Sequence, residues 1–148
     1  MRQLMKASLI AMMFAMPAAM AQNASPAGVW KTIDDETGKP KSLVRITEEN
    51  GVLTGKIEKL FRPADQDQNP KCTACEGARK DQPIVGMTIL SGLKKDGSEY
   101  TGGEILDPSK GKTYKSKATL KDNGSKLEVR GYIGAPMFGR SQTWVREQ

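Results

Sequence analysis

Turn-forming residues recur at short intervals along this chain, and their spacing limits the folds open to it more than any other feature. Clusters rich in Asp, Asn and Gly stand at residues 34–38, 48–51, 95–97, 107–111 and 122–124. In such clusters Asn and Gly accept positive φ and Pro presets φ, so each cluster predicts a tight reversal. The runs between them are short and β-prone, and no window has the three- and four-residue spacing of a helix. The sequence therefore predicts an all-β protein.

Eight short strands are predicted between the turns. Alternation is clearest over residues 114–121 and 126–133, where small or apolar side chains alternate with polar ones, so one face is buried. Eight sequential antiparallel strands of this kind form either a sandwich or a closed barrel. Short hairpin links and the removal of exposed edges favour an eight-stranded antiparallel up-and-down barrel. The predicted strands span residues 29–33, 43–48, 53–60, 85–90, 99–106, 113–120, 126–133 and 142–146.

Residues 1–21 have the pattern of a cleavable export signal. Two basic residues, Arg2 and Lys6, precede an apolar run that is too short to span a bilayer, and small residues follow it. We expect cleavage between Ala21 and Gln22 and a periplasmic or secreted protein. The alternative for this segment is a buried N-terminal helix. No Cys follows the apolar run, so lipid attachment is not expected.

The rest of the chain suits a single domain. Removing 21 of the 148 residues leaves 127, for which we expect a disordered lead over 22–27 and one domain over 28–146. No later segment approaches the roughly 18 apolar residues of a membrane span, so we do not expect an integral membrane protein. Without Arg2 and Lys6, 21 of the 23 basic residues face 17 acidic ones and are scattered rather than massed. With export, this distribution argues against nucleic acid as a partner.

One connection between predicted strands, residues 62–83, is long and contains both cysteines, Cys72 and Cys75. Outside the cytoplasm an isolated pair this close is expected to oxidise, and a structural disulfide would pin the long loop. A redox-active pair is the alternative, but it needs a thiolate at a helix N-terminus in a βαβ unit, which is not readable here. A zinc site would need two further Cys or His ligands, and the chain has none.

The chain contains no histidine. This absence removes the commonest general base, the usual Ser-His and Cys-His nucleophile arrangements, and the commonest metal ligand. An enzyme built on this sequence would have to rely on Glu104, Asp107, Tyr114 or the cysteines. We therefore expect a protein without catalytic residues, metal or cofactor.

The first and last strands carry residues suited to closing a barrel. Trp30 lies in the first strand, while Trp144 and Arg146 lie in the last. In a closed meander these strands are neighbours, so an indole and a guanidinium are expected to stack across the seam and contribute about 1 kcal/mol.

These end strands resemble the lipocalin and fatty-acid-binding, or calycin, families, in which a Gly-x-Trp opens the first strand and a late Arg packs over that Trp. Short motifs run through nearly the whole domain: Gly28-x-Trp30, Asp34-Asp35-x-Thr37-Gly38-Lys39, Gly55-Lys56-Ile57, Cys72-x-x-Cys75, Ile105-x-Asp107-Pro108-x-x-Gly111-Lys112-x-Tyr114, Val129-Arg130-Gly131-Tyr132-x-Gly134 and Gly139-Arg140-x-Gln142-x-Trp144-x-Arg146. Together they resemble a bacterial secreted family catalogued as domain of unknown function 2147. That resemblance covers residues 28–146 and implies a lipocalin-like barrel and an exported protein, but no reaction.

The leading hypothesis is a binding protein whose barrel interior accepts a small apolar or lipid-like molecule, since eight strands leave room for one such ligand or for packed side chains. Small residues predicted to point inward leave space, or they let bulky neighbours interdigitate in a filled core. The rival hypothesis is an envelope interaction or structural protein with a filled barrel and no ligand. The small inward residues are Gly55, Ser116, Ala118 and Gly131.

Five residues are candidates for lining such a cavity. Tyr114 is the candidate polar anchor, because its hydroxyl needs a partner when buried. Met137 and Phe138 are candidate apolar contacts at the mouth, and Arg140 is a candidate anion-binding group. Glu104 belongs to the set if its side chain points inward, although a surface position is the ordinary one for Glu. The alternative for residues 134–140 is that their glycines and proline only shape the last hairpin.

Overall fold

A computed structural model describes residues 25–147. The predicted export signal at 1–21 and the beginning of the predicted lead, residues 22–24, lie outside the described residues. Two single turns of 3₁₀ helix, Gly77–Arg79 and Asp122–Gly124, are the described helical elements. The strands are β1 (Gly28–Ile33), β2 (Pro40–Glu49), β3 (Val52–Leu60), β4 (Thr88–Asp96), β5 (Glu99–Asp107), β6 (Lys112–Lys121), β7 (Lys126–Tyr132) and β8 (Gly139–Arg146).

The eight strands form a closed antiparallel barrel. Each strand pairs with the next along the chain, and β1 also pairs with β8, where Trp30 lies opposite Arg146. The predicted fold is therefore confirmed. Within residues 25–147 there is no helix with the length and apolar character needed to cross a membrane.

The fourth strand is the one whose predicted position is most displaced. It was expected over 85–90 and runs instead over Thr88–Asp96. Leu90 and Leu93 of β4 pair with Gly55 and Leu53 of β3, so β4 holds one extra residue at this point. Gly92 lies within this bulge with φ of 73°. Gly92 interrupts the strand pattern in the sequence, but the bulge at Gly92 only bends β4, which continues to Asp96.

One end of the barrel has a filled core. Trp30, Leu53, Leu93 and Leu127 are fully buried there. An inward glycine at this end is covered by one of these large side chains: a Cβ on Gly103 would lie 2.6 Å from Leu93 Cγ. At this end small and bulky residues interdigitate, as the filled-core alternative expected.

The seam between β1 and β8 is covered by the residues just before β1. Pro26 is fully buried, and its carbonyl accepts a hydrogen bond of 2.8 Å from the Trp30 indole. The Arg146 guanidinium lies 4.3 Å from the centroid of the Trp30 ring, so the predicted stack is present. Residues 25–27 were expected to be part of a disordered lead, and that expectation is wrong for them. They pack on the barrel because Trp30 and Arg146 offer hydrogen-bond donors to their carbonyls.

Candidate functional site

A cavity of about 670 Å³ occupies the other end of the barrel. It is bounded by the ends of the strands that the β1–β2, β3–β4, β5–β6 and β7–β8 connections join, and by part of the long β3–β4 connection. Its volume lies in the range of small-molecule sites. The interior is therefore filled at one end and hollow at the other.

An apolar wall forms most of the cavity surface. Its members come from the strands β3, β4, β5 and β7 and from the β3–β4 and β7–β8 connections. Val129 continues this wall inward, and the buried Trp144 of β8 lies beside it. The remaining large apolar lining residues are Ile57, Leu60, Phe61, Ile84, Ile89, Ile105, Leu106, Ile133 and Phe138.

The strands β8, β1 and β2 contribute a polar wall. Thr32 of β1 and Ser42 of β2 line the cavity while only 6% and 5% exposed, and their hydroxyl oxygens lie 2.6 Å apart. Gln142 of β8 also lines it, and its Oε1 accepts a hydrogen bond of 3.2 Å from the Trp144 indole. Thr32, Ser42 and Gln142 are thus grouped on one side of the cavity, while the Tyr114 phenol of β6 adds a polar group outside this polar wall.

Basic side chains outnumber acidic ones among the lining residues of the mouth. Lys41, Arg62, Lys110 and Arg140 line it together with one acid, Asp107. The Asp107 carboxylate accepts hydrogen bonds from the backbone amide and the hydroxyl of Ser109, so its contacts lie within the β5–β6 turn. The mouth therefore favours an anionic group on whatever enters.

Arg140 is held at the mouth by the turn between β1 and β2. Its guanidinium lies 3.0 Å from the Asp35 carboxylate. The neighbouring Asp34 carboxylate accepts hydrogen bonds from the amides of Thr37 and Glu36, which lower the pKa of that carboxyl below its usual value. The turn that presents Asp35 is thus itself fixed by a charged side chain.

The predicted lining residues divide between the cavity and the outer surface. Tyr114, Phe138 and Arg140 line the cavity, whereas Met137 and Glu104 do not. Met137 is 76% exposed in the β7–β8 connection. Glu104 is exposed opposite Lys115, because the adjacent Gly103 takes the inward position on β5. The expectation that these two residues line the cavity is corrected accordingly.

The polar wall was missed at the sequence level, although alternation held the information. Thr32 lies two residues after the inward-facing Trp30, and Gln142 lies two residues before the inward-facing Trp144. A period of two places each on the inner face of its strand. Ser42 precedes the predicted start of the second strand, so its orientation had no such signal.

The long connection between β3 and β4 forms one side of the mouth and is fixed by a disulfide. Cys72 and Cys75 are bonded to each other, as predicted, and both are buried. The segment rests on the β5–β6 turn so closely that a Cβ on Gly111 would lie 1.9 Å from the Ala74 carbonyl oxygen. Residues from this connection, among them Pro63 and Gln66, line the cavity.

Neither the disulfide nor the cavity offers a metal centre. Across residues 25–147 there is no group of three or more Cys, Asp, Glu or His side chains placed to hold a metal ion. The donors and acceptors of the cavity are hydroxyls, amides, phenols, basic groups and the Asp107 carboxylate. Such groups are suited to hydrogen bonding and ion pairing with a bound molecule.

Known proteins resemble the chain at two levels. The fold is similar to that of a solved structure, protein HP1028 from the human pathogen Helicobacter pylori, described as belonging to the lipocalin family; identity is 24%, 84% of each chain is covered, and the TM-score is 0.70. No curated protein matches the chain. Residues 28–146 match the family described as uncharacterized protein conserved in bacteria, DUF2147. This match confirms the resemblance seen in the sequence, and the chain belongs to that bacterial family, with a lipocalin-like barrel as its fold.

Proposed function

We propose that the protein binds a small, largely apolar molecule in the barrel cavity. The observation that carries this proposal is a hollow of about 670 Å³ with an apolar wall that includes the buried side chains of Ile57, Ile89, Leu106 and Val129. Protein interiors are ordinarily packed to the density of organic crystals, and each unfilled volume costs stability. The filled end shows that this chain packs a dense core elsewhere in the same barrel. The hollow end is therefore best explained by an occupant.

The lining supports one orientation for that occupant. Its apolar body packs against Ile57, Ile105 and Val129, while an anionic or polar end lies at the mouth near Arg140 and Lys41. An entering anion would replace the Asp35 carboxylate beside Arg140, exchanging one charge-assisted contact for another.

The proposal includes export to the periplasm or secretion. The basic, apolar and small-residue segments at 1–21 support it, and so does a buried disulfide, since disulfides persist in oxidising compartments. Mass spectrometry of the protein from its own bacterium is expected to give an N-terminus at Gln22. An N-terminus at Met1 would contradict this part of the proposal.

We assign no chemical step to the protein, because the sequence lacks histidine and the cavity groups suit binding.

A second candidate function is contact with another envelope component through the β7–β8 connection. Met137 and Phe138 are exposed there, and the Arg130 guanidinium donates hydrogen bonds to the carbonyls of Pro136, Met137 and Gly139. An apolar surface loop held in place in this way favours a contact role.

Native mass spectrometry and lipid extraction of protein purified from its own envelope will test the binding proposal. We expect a stoichiometric apolar molecule, and reversible binding of the neutral fluorophore N-phenyl-1-naphthylamine after its removal. Ile105→Trp narrows the cavity and is expected to weaken fluorophore binding at least 10-fold, with Ile57→Phe as a milder second variant. Val145→Trp places the same ring on the outer surface and serves as the control. Equal binding by both Trp variants, with folding verified by circular dichroism, would contradict the proposal.

A further inference from the structure

Apart from the Tyr114 phenol on β6 and the groups at the mouth, the hydrogen-bonding side chains of the cavity lie on β8, β1 and β2, and this asymmetry specifies more than an apolar ligand. Resting on the proposed function, we infer that the ligand is an amphiphile with an acid at one end and hydroxyl or carbonyl groups along one edge. The juxtaposition that points to it is Gln142, Thr32 and Ser42 on three neighbouring strands, with Arg140 above them at the mouth.

Gln142 is the clearest hydrogen-bonding group offered to the ligand. The Trp144 indole nitrogen can only donate, so the amide atom that it contacts must be Oε1, and Nε2 is the other. Among the described residues no acceptor forms a hydrogen bond with Nε2. Gln142 lines the cavity, so its two Nε2 hydrogens are available to an acceptor on a bound molecule.

The hydroxyl pair continues this polar edge around the barrel. Thr32 Oγ1 and Ser42 Oγ lie 2.6 Å apart, and Thr32 Oγ1 also donates to the Ser42 carbonyl at 3.5 Å, so Ser42 Oγ donates to Thr32 Oγ1. A hydroxyl has one hydrogen and two acceptor lone pairs, so these contacts use both hydrogens and leave acceptor sites on the pair. Both residues are more than nine-tenths buried. A hydroxyl on the ligand is the group that suits the remaining acceptor sites.

The opposite wall makes a single-headed ligand a poor fit. Ile57, Ile105 and Val129 present no hydrogen-bonding side-chain atoms, whereas Gln142 and the hydroxyl pair present several. A straight acyl chain is apolar on every side, so it would cover the polar wall without pairing it, and unpaired buried donors lower affinity. A ligand hydroxyl can pair with Gln142 and with the hydroxyl pair, a ligand carbonyl with Gln142 Nε2, and an edge of such groups leaves the other edge to the aliphatic wall.

Strand geometry gives the spacing of the ligand's polar groups. Arg140 and Gln142 share the inner face of β8, two residues apart. Strands rise about 3.3 Å per residue, so the Cα atoms of Arg140 and Gln142 are separated by roughly 7 Å, and the strand holds the two side chains in a fixed order along the cavity. Such fixed spacing favours a rigid skeleton over a flexible chain, because a rigid ligand loses less conformational freedom on binding.

Displacement of bound N-phenyl-1-naphthylamine by three acids, each below its micelle concentration, will test the inference. Cholate carries hydroxyls along one face of a rigid ring system, 5β-cholanate is the same skeleton without hydroxyls, and palmitate is a flexible chain. We expect cholate to bind at least 10-fold more tightly than 5β-cholanate, although burial of the more apolar acid alone would give the reverse order. Tighter or equal binding of 5β-cholanate or palmitate would overturn the inference.

Variants locate the preference in the polar wall. Gln142→Leu and the double variant Thr32→Val with Ser42→Ala are expected to remove the preference for cholate while 5β-cholanate binds at least as tightly as before. Thr143→Val changes the outer face of the same strand and is expected to leave both affinities unchanged. If cholate still binds more tightly than 5β-cholanate to both the Gln142 variant and the double variant, the inference is overturned, although the proposal that the cavity binds a ligand stands. Absence of fluorophore binding to the unaltered protein would instead overturn the proposed function itself.

Discussion

The guanidinium of Arg146 joins three separate parts of the chain. It donates hydrogen bonds to the carbonyls of Ser25, Ala27 and Gly124, and it stacks on the Trp30 ring. Only a planar group with several donors in a fixed fork can make all four contacts together. Arg146 thus holds the segment before β1 and the turn after β6 against the barrel seam.

Replacing Arg146 with Lys keeps the positive charge but removes the fork and the planar stacking surface. We expect Arg146→Lys to lower the free energy of unfolding by about 1–3 kcal/mol, measured by urea denaturation. Arg45→Lys is the matched control, since Arg45 pairs with Glu58 on the exposed surface. This substitution is expected to lower the free energy of unfolding by less than about 0.5 kcal/mol. Equal losses in the two variants would show that Arg146 acts as a charge alone.

Residue positions were predictable where topology alone decides them. Trp30 and Arg146 meet because any closed meander brings the first and last strands together. The face of the sheet on which Glu104 lies was not predictable. Tyr100 and Gly103 on β5 pair with Ala118 and Ser116 on β6, so β5 holds one extra residue between these pairs. Such a bulge shifts the alternation by one, so counting by twos along β5 cannot say which face Glu104 takes.

At the scale of elements, the disulfide-bonded connection between β3 and β4 links stability to the cavity. Its cysteines belong to the buried core, and its backbone pairs with itself where Lys71 meets Pro83. Length and composition marked this segment as unusual, but they could not show that it rests on the β5–β6 turn. That contact depends on Gly111, whose missing side chain lets the two backbones approach.

Removing the disulfide is expected to loosen this connection. We expect the double variant Cys72→Ser with Cys75→Ser to lose about 2 kcal/mol of unfolding free energy, because the open chain regains entropy and two hydroxyls replace buried sulfur. Affinity for N-phenyl-1-naphthylamine is expected to fall as well, since the connection lines the mouth. Urea denaturation and fluorescence titration measure the two effects. Unchanged stability would show that the disulfide is dispensable for the fold.

At the scale of the whole molecule, the barrel is divided into a filled end and a hollow end. Gly55 and Gly131 are alike in the sequence, as small residues on inward faces. A Cβ on Gly55 would lie 2.9 Å from Leu90 Cβ, whereas one on Gly131, which borders the cavity, would lie 3.3 Å from Ile105 Cγ2. Whether an inward glycine lies in the packed core or beside the cavity depends on strand register, and bulges set that register. The sequence could therefore predict a barrel but not where it is hollow.

Two residues of β3 allow the division to be measured. Leu53 is fully buried at the filled end, and Ile57 lines the cavity four residues later. Truncation to Ala removes the same number of carbon atoms from each. Leu53→Ala opens a void that its packed neighbours cannot close, so we expect a loss of about 3–5 kcal/mol in urea denaturation. Ile57→Ala only enlarges an existing cavity, so its loss is expected to be smaller by about 1–2 kcal/mol.

The same pair separates folding from binding. At temperatures where both variants remain folded, Leu53→Ala is expected to bind N-phenyl-1-naphthylamine like the unaltered protein, because the filled end contributes no contact to the cavity. Ile57→Ala is expected to change the affinity, because the fluorophore loses part of the apolar wall. Reversal of this pattern, with Leu53→Ala binding weakly and Ile57→Ala binding normally, would mean that the barrel acts as one deformable core. The pattern expected here would instead show that one end of the barrel supplies stability and the other supplies the site.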